Sequence, residues 1–150
     1  MKVVIQRVTK ASVSIQNRKV ASIKNGLLVF LGIVSEDSND DIKWLINKVT
    51  NLRVFGDENG VMNKSVIDVN GDVIVVSQFT LHALTKKGNR PSYIKAAKPD
   101  TAIPLYKTFV NQLELNLGRP IQTGEFGADM KVELINDGPV TIIIDSKNKE

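Results

Sequence analysis

The sequence contains no cysteine and a single histidine, His82. The first absence removes disulfide frameworks, thiolate zinc sites and cysteine nucleophiles, and it agrees with a reducing compartment. The second leaves metal chemistry short of imidazole ligands. No apolar run approaches membrane-spanning length, and the start MKVVIQRVTK is broken by Arg7 and Lys10 before a signal-peptide apolar region could form. The chain therefore reads as a cytoplasmic protein with no membrane partner. Phosphate-binding loops are missing as well. QTGEFGADM, around Gly124, Phe126 and Gly127, lacks the lysine and serine of a Walker motif, and no GxGxxG spacing occurs, so ATP chemistry is not expected.

What is present is an ordinary globular composition. The 150 residues are 42% hydrophobic and 24% charged, with five prolines and ten glycines, which suits one compact domain over 1–150 with a single core. The formal charge is +4. Its distribution is more informative: the segment TKKGNRPSYIKAAKP carries Lys86, Lys87, Arg90, Lys95 and Lys98 and no acid. That makes a local positive patch suited to a polyanion.

Val3, Ile5 and Val8, the Val13/Ile15 pair and Val20 to Ile23 alternate as strands do, then lead through Asn25-Gly26 into LLVFLGIV. Three or four strands are expected there, with Val29 to Ile33 covered on both faces. Ser38, Asn39 or Asp40 can cap a helix that presents Ile42, Leu45, Ile46, Val49 and Leu52 on one side, with Asp41 at its positive end. The turn cluster Asn70-Gly71-Asp72 opens a buried strand, Val73 to Val76. A second helix is expected after Pro99, capped by Asp100 or Thr101, with Ile103, Tyr106, Val110, Leu113 and Leu117 on one face and Gly118 as its stop. The ending VELINDGPVTIIID reads as a hairpin around its Asp-Gly, and the polar tail 146–150 as frayed. A mixed β-sheet packed with two main helices follows, in the α/β class with mixed α+β character.

The buried strand runs into Ser77-Gln78-Phe79-Thr80, hydroxyls and an amide where sites gather at strand ends. These residues can form an active-site wall, or they can satisfy local backbone groups while Phe79 and Leu81 continue the core. A hydroxyl nucleophile at Thr80 needs a base, and the one imidazole, His82, would share its face in an extended strand. Glu36/Asp37 and Asp57/Glu58 sit in capping and turn contexts where solvated acids are ordinary. The basic segment can track a phosphate backbone with Tyr93 stacked on a base, or remain a solvated loop. Pro139 after Gly138 forfeits a ladder donor, which is either edge-strand tolerance or a function of its own.

Taken together, the start MKVVIQRVTKASVSI, the block VSQFTLHA, the loop KGNRPSY, the helix lead-in LYKTFV, the turn TGEFGADM and the ending NDGPVTIIID resemble one family, the D-aminoacyl-tRNA deacylases. The resemblance covers nearly the whole chain. It implies hydrolysis of the ester between a D-amino acid and the terminal adenosine of tRNA, with mischarged glycyl-tRNA as a related substrate. It also implies a homodimer and no metal or organic cofactor. Ser77, Gln78, Phe79 and Thr80 correspond to the catalytic, pocket-lining motif. Gly138 and Pro139 correspond to a Gly-cis-Pro element that enters the partner subunit's pocket and excludes L side chains with its carbonyls. Such exclusion by clash would admit many D-amino acids, and glycine with them. Two catalytic routes stay open. Thr80 could attack, or water could attack while backbone N–H groups near Phe79 and Thr80 hold the oxyanion and the tRNA 2′-hydroxyl assists; the poor supply of bases favours the second. Lys86, Lys87 and Arg90 would then meet acceptor-stem phosphates. The rivals are a non-catalytic RNA-binding module and a hydrolase of free D-amino acid esters.

Overall fold

The computed structural model describes residues 1–149. Its first third is three strands: β1 (Lys2–Ile15), β2 (Arg18–Ile23) and β3 (Gly26–Gly32). Gln16 and Asn17, both at positive φ (49° and 62°), make the two-residue turn that returns β1 into β2. After α1 (Asn39–Asn51) comes a small hairpin, β4 (Phe55–Gly56) with β5 (Met62–Lys64), and then β6 (Asp72–Ser77). A single 3₁₀ turn, Phe79–His82, precedes α2 (Pro99–Leu117), β7 (Gln122–Thr123) and β8 (Lys131–Asp145).

The main sheet is mixed, as expected. β1 is flanked by β8 on one side; on the other it pairs β3 along its first half and β2 along its second, all antiparallel. β3 and β6 are parallel, and β7 adds to β6 in parallel. The continuous apolar run of β3 is explained by two cores. Leu27, Val29 and Leu31, with Val73 and Val75 of β6, face α1 and α2, while Leu28, Ile74 and Val76 face Val8, Val13, Ala21 and Ile23. Alternate residues of one strand thus fill opposite layers.

α1 begins where Ser38 donates from both its backbone N–H and its hydroxyl to Asp41 Oδ2, at 2.9 and 3.1 Å. Ile42, Leu45, Ile46 and Val49 are buried against the sheet, each contributing roughly 1.5–3 kcal/mol. α2 starts earlier than expected: Lys98 is its cap and Pro99 its first residue, a position where a missing N–H forfeits no helical bond. Its buried stripe is Ala102, Tyr106, Phe109 and Leu113, so the face is turned toward Phe109 and away from Val110. Gly118, at φ 71°, ends it.

Three expectations are corrected. The last stretch is not a hairpin. Both halves of β8 pair with β1 in the same direction, through Val8↔Asn136 and Gln6↔Thr141, so the residues between bulge out of one long strand opposite Arg7. Nor is the tail frayed over the described residues. Ser146 is buried and its N–H donates to the Met1 carbonyl at 2.9 Å, while Lys147 Nζ reaches Asp41 Oδ2 at 2.8 Å. Asp37, expected to be solvated, is fully buried and accepts from the Met1 amino group.

Burial raises the Asp41 carboxyl's proton affinity, but the hydrogen bonds from Lys147, Ser146 and Ser38 outweigh it and hold the pKa below its ordinary value. A depressed carboxylate stabilises the fold above its unfolded-state pKa, and that stability is lost as pH falls through the acid range. We expect Lys147→Met to be less stable than the parent at pH 7, with the difference shrinking below about pH 4 as Asp41 protonates in both. Urea denaturation across pH checks this.

Candidate active site

The β3–β6 ladder carries the site. Its parallel pairing runs to Leu31↔Ser77, and the Gln78 N–H then donates to the Leu31 carbonyl at 2.8 Å. Beyond that bond the chain turns instead of extending: Leu81 N–H donates to Gln78 O at 3.2 Å and Ala83 N–H to Thr80 O at 3.1 Å. The N–H groups of Phe79 and Thr80 open this turn and so have no partner within it.

A cavity of about 240 Å³ lies at this strand end. Ser77, Gln78 and Phe79 form one wall; Leu31, Ile33, Ala97 and Ala102 form another; the segment Phe126 to Met130 closes it. The expected motif and the TGEFGADM turn therefore meet. The lining is mainly apolar, which suits a flat ring or hydrocarbon beside a few backbone donors. Phe79 does not continue the core, being 55% exposed at the rim.

Thr80 is half-buried and is not part of the cavity lining; its hydroxyl accepts from Gln78 Nε2 at 2.5 Å. His82 does not partner it. The turn breaks the shared strand face on which that pairing depended, and His82 Nε2 is buried with no hydrogen-bond partner. Burial pushes the imidazole pKa below its ordinary value, opposed in part by the Gly32 backbone, and the ring packs against Gly32 of β3. Among the described residues no cluster of three or more His, Asp or Glu side chains could hold a metal ion.

The wall at Phe126 is built from α2. Tyr106 lies edge-on to Phe126 with ring centroids 5.8 Å apart, and its hydroxyl donates to the Val75 carbonyl at 3.0 Å. Burial pushes its pKa up to about 12, so it remains a donor at neutral pH. From sequence, Tyr106 reads only as a residue of a core face.

Gly138 and Pro139 lie elsewhere. They are exposed on the β8 bulge, they do not line the cavity of their own chain, and the bond between them is cis. The bulge is shaped by side chains that replace ladder bonds. Val140 N–H donates to Asn136 Oδ1 at 2.7 Å, and Arg7 Nε donates to the Asp137 carbonyl at 2.9 Å while pairing with its carboxylate at 3.2 Å. Arg7 also donates to the Val54 carbonyl. From sequence, Arg7 is only a charge near the N-terminus; no local signal joins it to Asp137, 130 residues away. Gly138, at φ 142°, has space for no Cβ: an ideal one would sit 2.8 Å from Val140 Cγ2 and 3.2 Å from Arg7 Nη2. Lys86, Lys87, Arg90 and Tyr93 are all exposed on the loop after the turn.

A family model described as D-Tyr-tRNA(Tyr) deacylase matches residues 4–145. The D-aminoacyl-tRNA deacylases of Flavobacterium psychrophilum and Parabacteroides distasonis are 69% and 64% identical to the chain, each over the full length of both sequences. Among solved structures, the c-Myc DNA unwinding element binding protein superposes with a TM-score of 0.92 at 42% identity, covering 97% of this chain and 98% of its own. A probable eukaryotic D-amino acid tRNA deacylase gives a TM-score of 0.82 at 15% identity, over 95% of this chain and 97% of its own, which is likeness of fold. The cavity at the end of a parallel ladder thus belongs to a hydrolase that acts on aminoacyl-tRNA. The chain belongs to the D-aminoacyl-tRNA deacylase family.

Tyr106→Phe keeps the ring against Phe126 and removes one donor from the Val75 carbonyl, leaving the longer 3.4 Å bond from Gly124 N–H. We expect a loss of about 1 kcal/mol in urea denaturation.

Proposed function

We propose that the protein hydrolyses the ester of D-aminoacyl-tRNA in the cytoplasm, excludes L-aminoacyl groups by shape, and does so as a homodimer whose subunits complete each other's sites. The observation that carries this reading is the separation of the two motifs within one chain. Ser77 to Phe79 line a cavity, whereas Gly138 and Pro139 protrude on the β8 bulge outside it. A second copy would supply what the cavity lacks. Ile135 and Ile143, on either side of the bulge, are 49% and 67% exposed, an apolar surface suited to cover by a partner. Selection would come from carbonyl positions on the bulge, held by Arg7 and Asn136, and not from affinity for any side chain. Glycyl-tRNA, with no side chain to exclude, would also be cleaved.

For the chemistry, water attacks the ester carbonyl, the N–H groups of Phe79 and Thr80 receive the oxyanion, and the tRNA 2′-hydroxyl assists. Two facts support this over attack by Thr80: its hydroxyl is engaged by Gln78, and the one imidazole is packed away from it. Lys86, Lys87 and Arg90 are free to meet acceptor-stem phosphates, an attraction that weakens with added salt. The structural relative named for DNA binding keeps a nucleic-acid-binding module without catalysis as the second reading.

Deacylation of D-Tyr-tRNA and L-Tyr-tRNA by the purified protein is the deciding measurement. Fast release from the D ester alone is expected; equal rates, or none, would sink chiral proofreading. Thr80→Ala should keep a near-parental rate, and a complete loss with folding and binding intact would restore Thr80 as nucleophile. Gly138→Ala forces a Cβ into Val140 and displaces the bulge, so kcat/KM should fall on the order of 100-fold. Because the bulge is exposed, its melting temperature should stay within a few degrees of the parent.

A further inference from the structure

The loop bearing the cations is tied to the rim of the cavity. Leu84 and Ser92 exchange both backbone bonds, Leu84 N–H to Ser92 O at 2.8 Å and Ser92 N–H to Leu84 O at 3.0 Å, which closes the loop 85–91. Just past this closure, Tyr93 O accepts from Ala96 N–H at 3.0 Å, and Ala97 N–H donates to Ile33 O at 2.9 Å, fixing the return strand to the cavity wall that Ile33 and Ala97 line. Tyr93 is thereby placed against Phe79, edge to face, with centroids 5.0 Å apart and planes at 78°.

This pair is not core. Phe79 is 55% exposed, Tyr93 40% and the neighbouring Ile94 84%. Two rings at right angles leave one aromatic face open, and an exposed aromatic step beside an apolar side chain is an unfavourable surface unless something covers it. What surrounds it selects the occupant. Lys86, Lys87, Arg90, Lys95 and Lys98 lie within the same segment, from 85 to 99, which contains no acid. An aromatic step framed by cations matches a base with its phosphate, since stacking tolerates any base and the charge follows the backbone.

We propose that the Phe79–Tyr93 pair, extended by Ile94, is a stacking platform for the unpaired nucleotide that precedes the terminal adenosine of the tRNA. The terminal nucleoside enters the cavity, the preceding base lies on the exposed aromatic step, and the cations of the closed loop receive the phosphates that follow. The loop and the cavity form one continuous face for a single-stranded 3′ end. This rests on the placement of the aminoacyl-adenosine in the cavity, and it adds a contact that substrates of one nucleotide cannot make.

The test compares D-tyrosyl-tRNA with the D-tyrosyl ester of adenosine alone, using the parent protein, Tyr93→Ala and Tyr93→Trp, with circular dichroism to check folding. Tyr93→Ala should raise KM for the tRNA substrate on the order of tenfold with kcat unchanged, the loss of one base stack. It should leave the adenosine ester unaffected, and Tyr93→Trp should restore the parental KM. An unchanged KM for tRNA in Tyr93→Ala, or an equal loss with both substrates, overturns the platform. Failure of the parent protein to cleave the adenosine ester counts against the placement of the adenosine in the cavity. The platform is still decided in that case by the tRNA arm: a raised KM rescued by Trp supports it, and an unchanged KM refutes it.

Discussion

The bond from Gln78 N–H to the Leu31 carbonyl is the last rung of the β3–β6 ladder, and the site begins where that ladder stops. Up to that point both strands are buried on two faces and joined to each other by the ladder. One residue later the chain curls into a 3₁₀ turn, whose first N–H groups, those of Phe79 and Thr80, have no partner within it. The position of the rung depends in turn on both cores. Shifting β6 by one residue would exchange Val73 and Val75 with Ile74 and Val76 across the sheet. The site therefore inherits its precision from packing, and under the proposed mechanism its chemically active groups are mostly backbone.

The other elements of the site hang from the same frame. Tyr106 reaches from α2 to the Val75 carbonyl, inside the ladder, and braces Phe126 at the far wall. Ala97 N–H bonds Ile33 O just past the end of β3, which brings the basic loop to the rim. Arg7, in the middle of β1, holds the bulge of β8 by the Asp137 carbonyl. Each tie is a single side chain or backbone bond between an ordered strand and an irregular segment. This is how loops with little local preference of their own acquire defined shapes.

Much of the frame was legible because it is written in short periods. Ile42, Leu45, Ile46 and Val49 gave α1 its buried face, the apolar run of β3 gave a strand covered twice, and Gly118 gave the end of α2. The failures share a cause: each depended on a partner distant in sequence. Asp-Gly within NDGPVT carries a genuine turn signal, but whether the flanking strands pair with each other or with a third is decided by β1, more than 120 residues earlier. Ser146 and Lys147 look like solvated tail residues until Asp41 and the Met1 carbonyl are placed beside them. Thr80 and His82 would share a face only in a strand, and the 3₁₀ turn that separates them has no strong local marker. The cavity motif was found by its position at a strand end and by its family resemblance; Arg7 and Tyr106 were not assigned to the site, because a lone cation in a strand and an aromatic on a helix face are ordinary in either role.

The scarcity noted in the composition and the character of the site are two sides of one constraint. With no cysteine, and with Nε2 of its one histidine buried and unpaired beside β3, the chain has few side chains able to attack or to shuttle protons near the cavity. Under the proposed mechanism the site relies on what fixed dipoles and steric exclusion can do, and both depend on geometry more than on side-chain chemistry. That reliance is useful. A reactive nucleophile beside an activated ester would have little reason to spare the L-aminoacyl-tRNA on which translation depends, whereas a site that acts only when an ester fits between fixed carbonyls and N–H groups discriminates before it reacts. Lys86, Lys87 and Arg90 are exposed on the loop after the turn, and the cavity lining is mainly apolar, with Asp129 its one charged residue. Under that mechanism the cations can draw in any tRNA, while the cavity and the bulge of a second copy together decide which ester is cut.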